Sequence, residues 1–273
     1  MITQDPINDL QYLFDLLKAK KPFTFIRFSD GETEILNNNY LEISENGTKY
    51  RGQSFENSYP SHDYKFFDPI RDVLFRDELL ESAKYISDFY FKGVSGAHNI
   101  ESGDSLNNDQ KLLIDYNKGF LTNLTFSDLL INSNYLKFRK CVDGILDTFS
   151  SGYVVANFQS KLIGPLREFE LLAIPNLVFQ EYYKLLENHL LILKDVPANS
   201  IILSSASSYS NILGHKLHKI RPDLFFIDIG TALNDYLSLP HKTRVYHCLL
   251  DKSIKGRISA FKYKRSKGYQ IKW

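Results

Sequence analysis

Phe23-Thr24-Phe25-Ile26-Arg27-Phe28-Ser29-Asp30-Gly31-Glu32 decides how the chain is read. Its first six residues form a near-continuous apolar run, the pattern of a strand buried on both faces in a parallel sheet. The run ends in an acidic turn in which Asp30 and Glu32 flank Gly31. In an extended or turn segment, side chains at i and i+2 point the same way. Two carboxylates so placed can share one hard cation, Mg²⁺ or Mn²⁺, together with substrate phosphates. Arg27, just upstream, either adds a fixed positive charge or pairs with a structural carboxylate.

Outward from this stretch, apolar strands alternate with helices. Leu10, Leu13, Leu16 and Leu17 predict a helix over Asp9–Lys20, closed by Pro22. After Glu32, a short helix reaches Asn37. Leu41–Ser44 and Thr48–Arg51 flank Glu45-Asn46-Gly47, a hairpin signal, and a polar loop follows from Gly52 to Tyr64. Further helices are expected over Asp68–Tyr85, Asp109–Leu121, Asn134–Phe149, Gln180–Leu193 and Tyr209–Ile220. Further strands are expected over Phe89–Val94, Ser127–Ile131, Gly152–Asn157, Leu171–Val178, Ser200–Leu203 and Leu224–Gly230. The alternation predicts a doubly wound, Rossmann-like α/β fold, a mostly parallel sheet with helices on both faces. With no repeat or low-complexity linker, residues 1–251 read as one domain and 252–273 as a basic tail packed on or beside it.

Such a sheet binds ligands beyond the carboxyl ends of its strands. Polar runs fall there at 29–32, 95–99, 157–161, 204–208 and 228–231. Ser204-Ser205-Ala206-Ser207-Ser208 precedes a helix, whose free N–H groups suit an anion; simple capping is the other reading. Asp228-Ile229-Gly230 follows a strand, and Asp228 either bonds a ribose or base or caps the next turn. His98 sits at a strand end beside Gly96 and is a candidate for touching substrate. His215 and His218 stand three apart on a predicted helix with no acidic partner, which favours a surface face over zinc. GxGxxG and GxxxxGK[ST] are absent, so dinucleotide and P-loop readings are weak. No GxSxG or Cys–His arrangement supports nucleophilic catalysis.

The 273 residues carry a formal net charge of +1, so no global field points at nucleic acid or a membrane. Cys141 and Cys248, without CxxC spacing, fit a reducing compartment. The N-terminus has no signal-peptide pattern, and no stretch approaches the roughly 20 apolar residues of a membrane span. A cytoplasmic protein is expected. The tail holds Lys252, Lys255, Arg257, Lys262, Lys264, Arg265, Lys267 and Lys272, interleaved with Tyr263, Tyr269 and Trp273. It reads either as a solvated edge hairpin or terminal strand, or as a surface for the inner face of an anionic membrane or for a phosphate-bearing acceptor.

Ile26-Arg27-Phe28-Ser29-Asp30-Gly31-Glu32 resembles the Arg-Phe-Gly-Asp-Gly-Glu signature of the GT-D-type glycosyltransferases, formerly a domain of unknown function. Ser200–Tyr236 resembles that family's strand, small-residue loop, helix and closing Asp-Ile-Gly strand. Ser29 stands in place of the usual Gly, Ser204-Ser205 in place of Gly-Pro, and Thr231 in place of a His. The resemblance implies sugar transfer from a nucleotide-diphosphate donor, a UDP-sugar above all, to a glycan or lipid-linked acceptor in surface polysaccharide or glycoprotein glycan assembly. It implies that Asp30 and Glu32 hold the divalent metal. It implies that Gly31, Ser204, Ser205, Ser207, Asp228 and Gly230 line the nucleotide site. An inverting reaction needs a carboxylate base, for which Asp104, Asp128 and Asp235 are candidates. The rival readings are a metal-dependent nucleotide or phosphate-ester hydrolase and a non-catalytic nucleotide-sugar-binding module.

Overall fold

In the strand Thr24–Arg27, neighbouring side chains enter different cores: Phe25 packs on one face of a sheet, Ile26 on the other. That alternation follows from the period of two in extended chain. A computed structural model describes residues 1–50, 52–56, 59–96, 103–131, 134–146, 148–149, 151–239 and 245–266. The chain runs α1 (Pro6–Lys18), β1 (Thr24–Arg27), α2 (Asp30–Leu36), then β2 (Leu41–Ser44), β3 (Gly47–Tyr50), β4 (Gln53–Phe55) and β5 (Lys65–Phe67). It continues through α3 (Val73–Lys84), β6 (Tyr90–Val94), α4 (Gly103–Tyr116), β7 (Leu124–Phe126), α5 (Tyr135–Leu146), β8 (Gly152–Asn157) and β9 (Glu170–Ile174). The last elements are α6 (Tyr182–Leu193), β10 (Ile201–Ser204), α7 (Tyr209–Ile220), β11 (Phe225–Asp228) and α8 (Ile254–Ser266).

Seven described strands form one sheet in the order β7-β6-β1-β11-β10-β8-β9, and every pairing in it is parallel. The α/β, Rossmann-like expectation is met. Leu10, Leu13 and Phe14 of α1 and Phe138 of α5 cover one face with Phe25, Phe225 and Leu203. Ile35 of α2, Leu79 of α3 and Leu213 of α7 cover the other with Ile26, Phe226 and Ile202. Burying each such side chain contributes about 1.5–3 kcal/mol. Strand order reverses at β1, whose neighbours are β6 on one side and β11 on the other. The crevice at this switch point is where ligands of open α/β sheets bind.

Several local expectations are corrected. The acidic turn is the first turn of α2, so Asp30 and Glu32 lie on a helix, about 200° apart around its axis at 3.6 residues per turn. Ser127–Ile131 is a turn, not a strand: Leu129 N–H bonds Phe126 C=O and Ile131 N–H bonds Asp128 C=O. The strand there is β7, whose Thr125 pairs with Gly93. The polar stretch after Gly52 holds β4. Gly52, at φ +71, reverses the chain as an L-residue rarely does, and β4 completes an antiparallel sheet ordered β4-β3-β2-β5. His215 and His218 are buried rather than on a surface face. They pack against the rings of Tyr85 and Tyr90, where α7 crosses the sheet. The tail is helical over Ile254–Ser266, neither hairpin nor strand, and Ser253 Oγ accepts the Gly256 N–H to cap its start.

Candidate active site at the sheet switch point

Arg27 is the last residue of β1, and Asp228 the last of the neighbouring β11. Their side chains form an ion pair: Nη2 donates to Oδ1 at 3.1 Å, and Nε stands 3.1 Å from Oδ2 without the alignment of a hydrogen bond. A charge-assisted hydrogen bond of this kind is stronger than one between neutral groups. Arg27 Nη1 also donates to Ser127 C=O at 3.3 Å. Asp228 is 3% exposed. Burial raises its carboxyl above the usual range, and Arg27 opposes that without cancelling it. Burial also works against the guanidinium charge, but Asp228, and after it Glu32, outweigh the penalty and hold Arg27 above its ordinary value.

Gly230 makes this approach feasible. Its φ is +56, and a Cβ there would stand 1.8 Å from Arg27 Nη2. Nothing larger than hydrogen fits between the backbone and the guanidinium.

Glu32 reaches inward from α2 and is 7% exposed. Oε2 accepts the Ser29 N–H at 3.0 Å, the returning half of a capping box, which fixes where β1 ends and α2 begins. Oε1 accepts the Ser208 hydroxyl at 2.6 Å. The β1–α2 turn is thereby tied to the loop that opens α7, 176 residues further along. Asn211 reinforces the link by donating to Arg27 C=O at 2.7 Å. Ile229 N–H bonds Ser204 C=O at 2.8 Å, joining the third segment. The distant stretches singled out in the sequence therefore converge.

The remaining candidates sort by their contacts. Ser204 is fully buried, and its hydroxyl bonds that of Ser210 at 2.8 Å inside the first turn of α7. Ser205 is half-buried, and its N–H bonds Val155 C=O. Ser207 has φ +52, and its buried Oγ has no hydrogen-bond partner among the described residues. Asp30 and Gly31 are half-buried at the start of α2. Asp235 lies off to the α5 side, where its Oδ2 accepts from Tyr135 Oη and Arg139 Nη1, each at 2.9 Å. Asp128 is buried after β7 beside Gly96, whose added Cβ would meet its Oδ1 at 2.9 Å. His98 lies outside the described residues, as does the Asp104 side chain.

Sequence reasoning passed over Ser127, Asn211 and Tyr246, and weighed Ser208 as a cap or as part of the Ser204–Ser208 ligand loop, without its link to Glu32. Tyr246 adds to the potential at Arg27 and shares a 3.2 Å hydroxyl contact with Thr231. None carries a motif signal, since each is placed by the fold alone.

A separate cleft of about 630 Å³ opens between the C-terminal end of α2, the β3–β4 turn and α4. Glu34, Asn37, Asn39, Tyr40, Gln53 and Asp109 are among its lining. Glu34 follows Asp30 by four residues on α2, which places both on one side of that helix.

Among solved structures with a similar fold is a glycosyltransferase of domain of unknown function 1792 from Streptococcus sanguinis. It matches with a TM-score of 0.52 at 17% identity, over 83% of this chain and 81% of its own. A selenomethionine-substituted structure of the same domain matches with a TM-score of 0.52 at 13% identity, over 97% and 90%. A third structure, of this domain described as a distinct glycosyltransferase fold, matches with a TM-score of 0.51 at 14% identity, over 97% and 90%. At these identities the likeness is one of fold, and the fold is that of this glycosyltransferase domain. No family model matches the sequence, and the search of curated proteins gave no match.

Proposed function

We propose that the protein is a metal-dependent glycosyltransferase. It moves a sugar from a nucleotide-diphosphate donor, a UDP-sugar, to a hydroxyl of a glycan or lipid-linked acceptor in surface polysaccharide or glycoprotein glycan assembly. The observation that carries this reading is the convergence of Arg27, Glu32, Ser208 and Asp228 at the switch point of a glycosyltransferase-type sheet.

The donor set suits a cation shared with substrate. Asp30 and Glu32 are oxygen ligands, and no group of three or more His, Cys, Asp or Glu side chains that could hold a metal occurs among the described residues. Mg²⁺ and ions like it are commonly held by one or two carboxylates, with phosphates and water completing the shell. When bound, such a cation neutralises charge on the departing diphosphate. Glu32 accepts one bond per oxygen from Ser29 and Ser208, which leaves lone pairs on both. In this reading Asp30 supplies a carboxylate from the first turn of α2, and Glu32, about 200° around the helix axis, locks that turn and lends its remaining lone pairs.

The other residues orient and exclude water. Asp228 fixes the Arg27 guanidinium, which therefore meets a developing negative charge without reorganising. Ser207 Oγ, without a hydrogen-bond partner among the described residues, is a donor for a phosphate oxygen ahead of α7. The cleft one turn along α2 from Asp30 suits an acceptor saccharide. Amides and carboxylates there match sugar hydroxyls, and Tyr40 offers an aromatic face. Asp235 already holds two donors, so acting as base requires it to give up Arg139 or Tyr135.

Isothermal titration with a panel of nucleotide-sugars, with and without Mn²⁺, tests the reading. Metal-dependent binding is expected for the native protein, and loss of both binding and turnover for Asp30→Asn and Glu32→Gln, with thermal melts confirming the fold. Turnover that needs no acceptor points to a hydrolase, and binding untouched by the variants to a non-catalytic module. Absence of nucleotide-sugar binding in either condition overturns the proposal.

A further inference from the structure

Helix α8 is turned inside out relative to an ordinary surface helix. Its large apolar residues Ile254, Ile258 and Phe261 are spaced i, i+4, i+7, one stripe of a helix. That stripe faces away from the protein: Ile254 is 80% exposed, Ile258 52% and Phe261 65%. The small residues make the inward contact. Gly256 is buried, and a Cβ there would stand 2.2 Å from the Asp251 side chain; Ser259 and Ala260 are half-buried. A globular surface helix buries its apolar stripe, so this stripe is dressed for another medium.

Charge says which medium. Between Ile254 and Ser266 the sequence holds Lys255, Arg257, Lys262, Lys264 and Arg265 and no acidic residue, in a chain whose net charge is only +1. The side chains of Lys255, Arg257 and Lys262 are exposed like the stripe they flank. Lys267 and Lys272 follow in sequence. Three exposed bulky apolar residues with cations beside them on one short helix offer the two contacts that an anionic lipid surface takes up. The apolar side chains enter the acyl boundary and the cations meet anionic headgroups. A second copy of this face would bring like charges together, which disfavours self-association. No helix among the described residues is long and apolar enough to cross a membrane, so contact through α8 is peripheral.

We propose that α8 docks the protein on an anionic lipid bilayer, lying in the headgroup plane with Ile254, Ile258 and Phe261 inserted. This goes beyond the assignment of the sugar-transfer site and stands without it.

Flotation of the full chain with vesicles of phosphatidylcholine and phosphatidylserine, against phosphatidylcholine alone, is the test. Binding is expected to the anionic vesicles only, weakening as salt rises. Ile258→Glu/Phe261→Glu should lower the bound fraction by about tenfold, and Lys255→Gln/Arg257→Gln by about threefold. All four positions are solvent-exposed, and nucleotide-sugar titration in the absence of vesicles should be unchanged in both variants. The proposal is overturned if the anionic vesicles are not bound, or if Ile258→Glu/Phe261→Glu binds them like the native chain. It is equally overturned if light scattering shows a dimer that the same substitutions dissolve, since the stripe then serves a second copy.

Discussion

Two ion pairs grow from the same stretch of chain and live in different solvents. Asp228 ends β11 and pairs with Arg27 beneath the switch-point crevice, at side-chain exposures of 4% and 15%. Asp235, seven residues later, pairs with Arg139 of α5 at 24% and 29%. The first pair is a commitment of the interior: both charges are largely withdrawn from water, so each depends on the other. The second keeps water on both partners and is screened. Contact distances are similar, 3.1 Å and 2.9 Å, so distance does not separate them. Burial does.

The largest way to break this contrast is Arg27→Met, which strands Asp228. A loss of about 3–5 kcal/mol is expected in urea unfolding, because an unpaired charge is left in the interior. Arg27→Met/Asp228→Leu should recover much of it while removing donor binding. If Arg27→Met costs no more than a surface substitution, the pair is not buried in solution.

Acid sharpens the contrast next. His215 packs against Tyr85, and burial pushes its imidazole down to about 4 from an ordinary 6.5. Its neutral form is the folded one, so its contribution is complete above pH 6.5 and is lost as pH falls toward 4. The full loss is about 3 kcal/mol, from 1.36 kcal/mol per unit. Asp228, raised by burial, has the opposite sign: the folded state binds its proton more readily, so acid relieves it. Thermal melts from pH 7 to 4 should therefore fall in the native chain and flatten in His215→Phe. An unchanged slope in that variant would mean that another group drives the fall.

The smallest effect belongs to the outer pair. Arg139→Gln should cost under about 1 kcal/mol and shrink further at high salt. A loss as large as that of Arg27→Met would erase the distinction.

Much of the frame was legible in the residues. Phe23–Phe28 is near-continuously apolar and Ile201–Leu203 apolar throughout because both faces of their sheet are covered, and helix-period stripes announced α1 and α7. The end of β1 at an acidic pair was legible too, but its geometry was not. Ser29 and Glu32 form a capping box, and a capping box starts a helix. That winds Asp30 and Glu32 onto different sides, where an open turn had been expected. Lys92, inside an apolar strand, resisted reading in another way. Its Nζ donates to the Ala83 and Tyr85 carbonyls at the end of α3, a partner set no local pattern reveals. The α8 helix was misjudged as a hairpin or strand because its cations and aromatics interleave like an edge strand, while its Ile-Ile-Phe stripe has helical spacing.

By itself the sequence determined the α/β alternation, the parallel sheet and the acidic end of β1. These depend on burial periodicity and turn chemistry, which act over a few residues. Tertiary structure alone decided that Glu32 meets Ser208, that Asp228 clamps Arg27 across Gly230, and that α8 turns its apolar side outward. Those contacts join residues as many as 201 positions apart, and only the strand order brings them within hydrogen-bond reach.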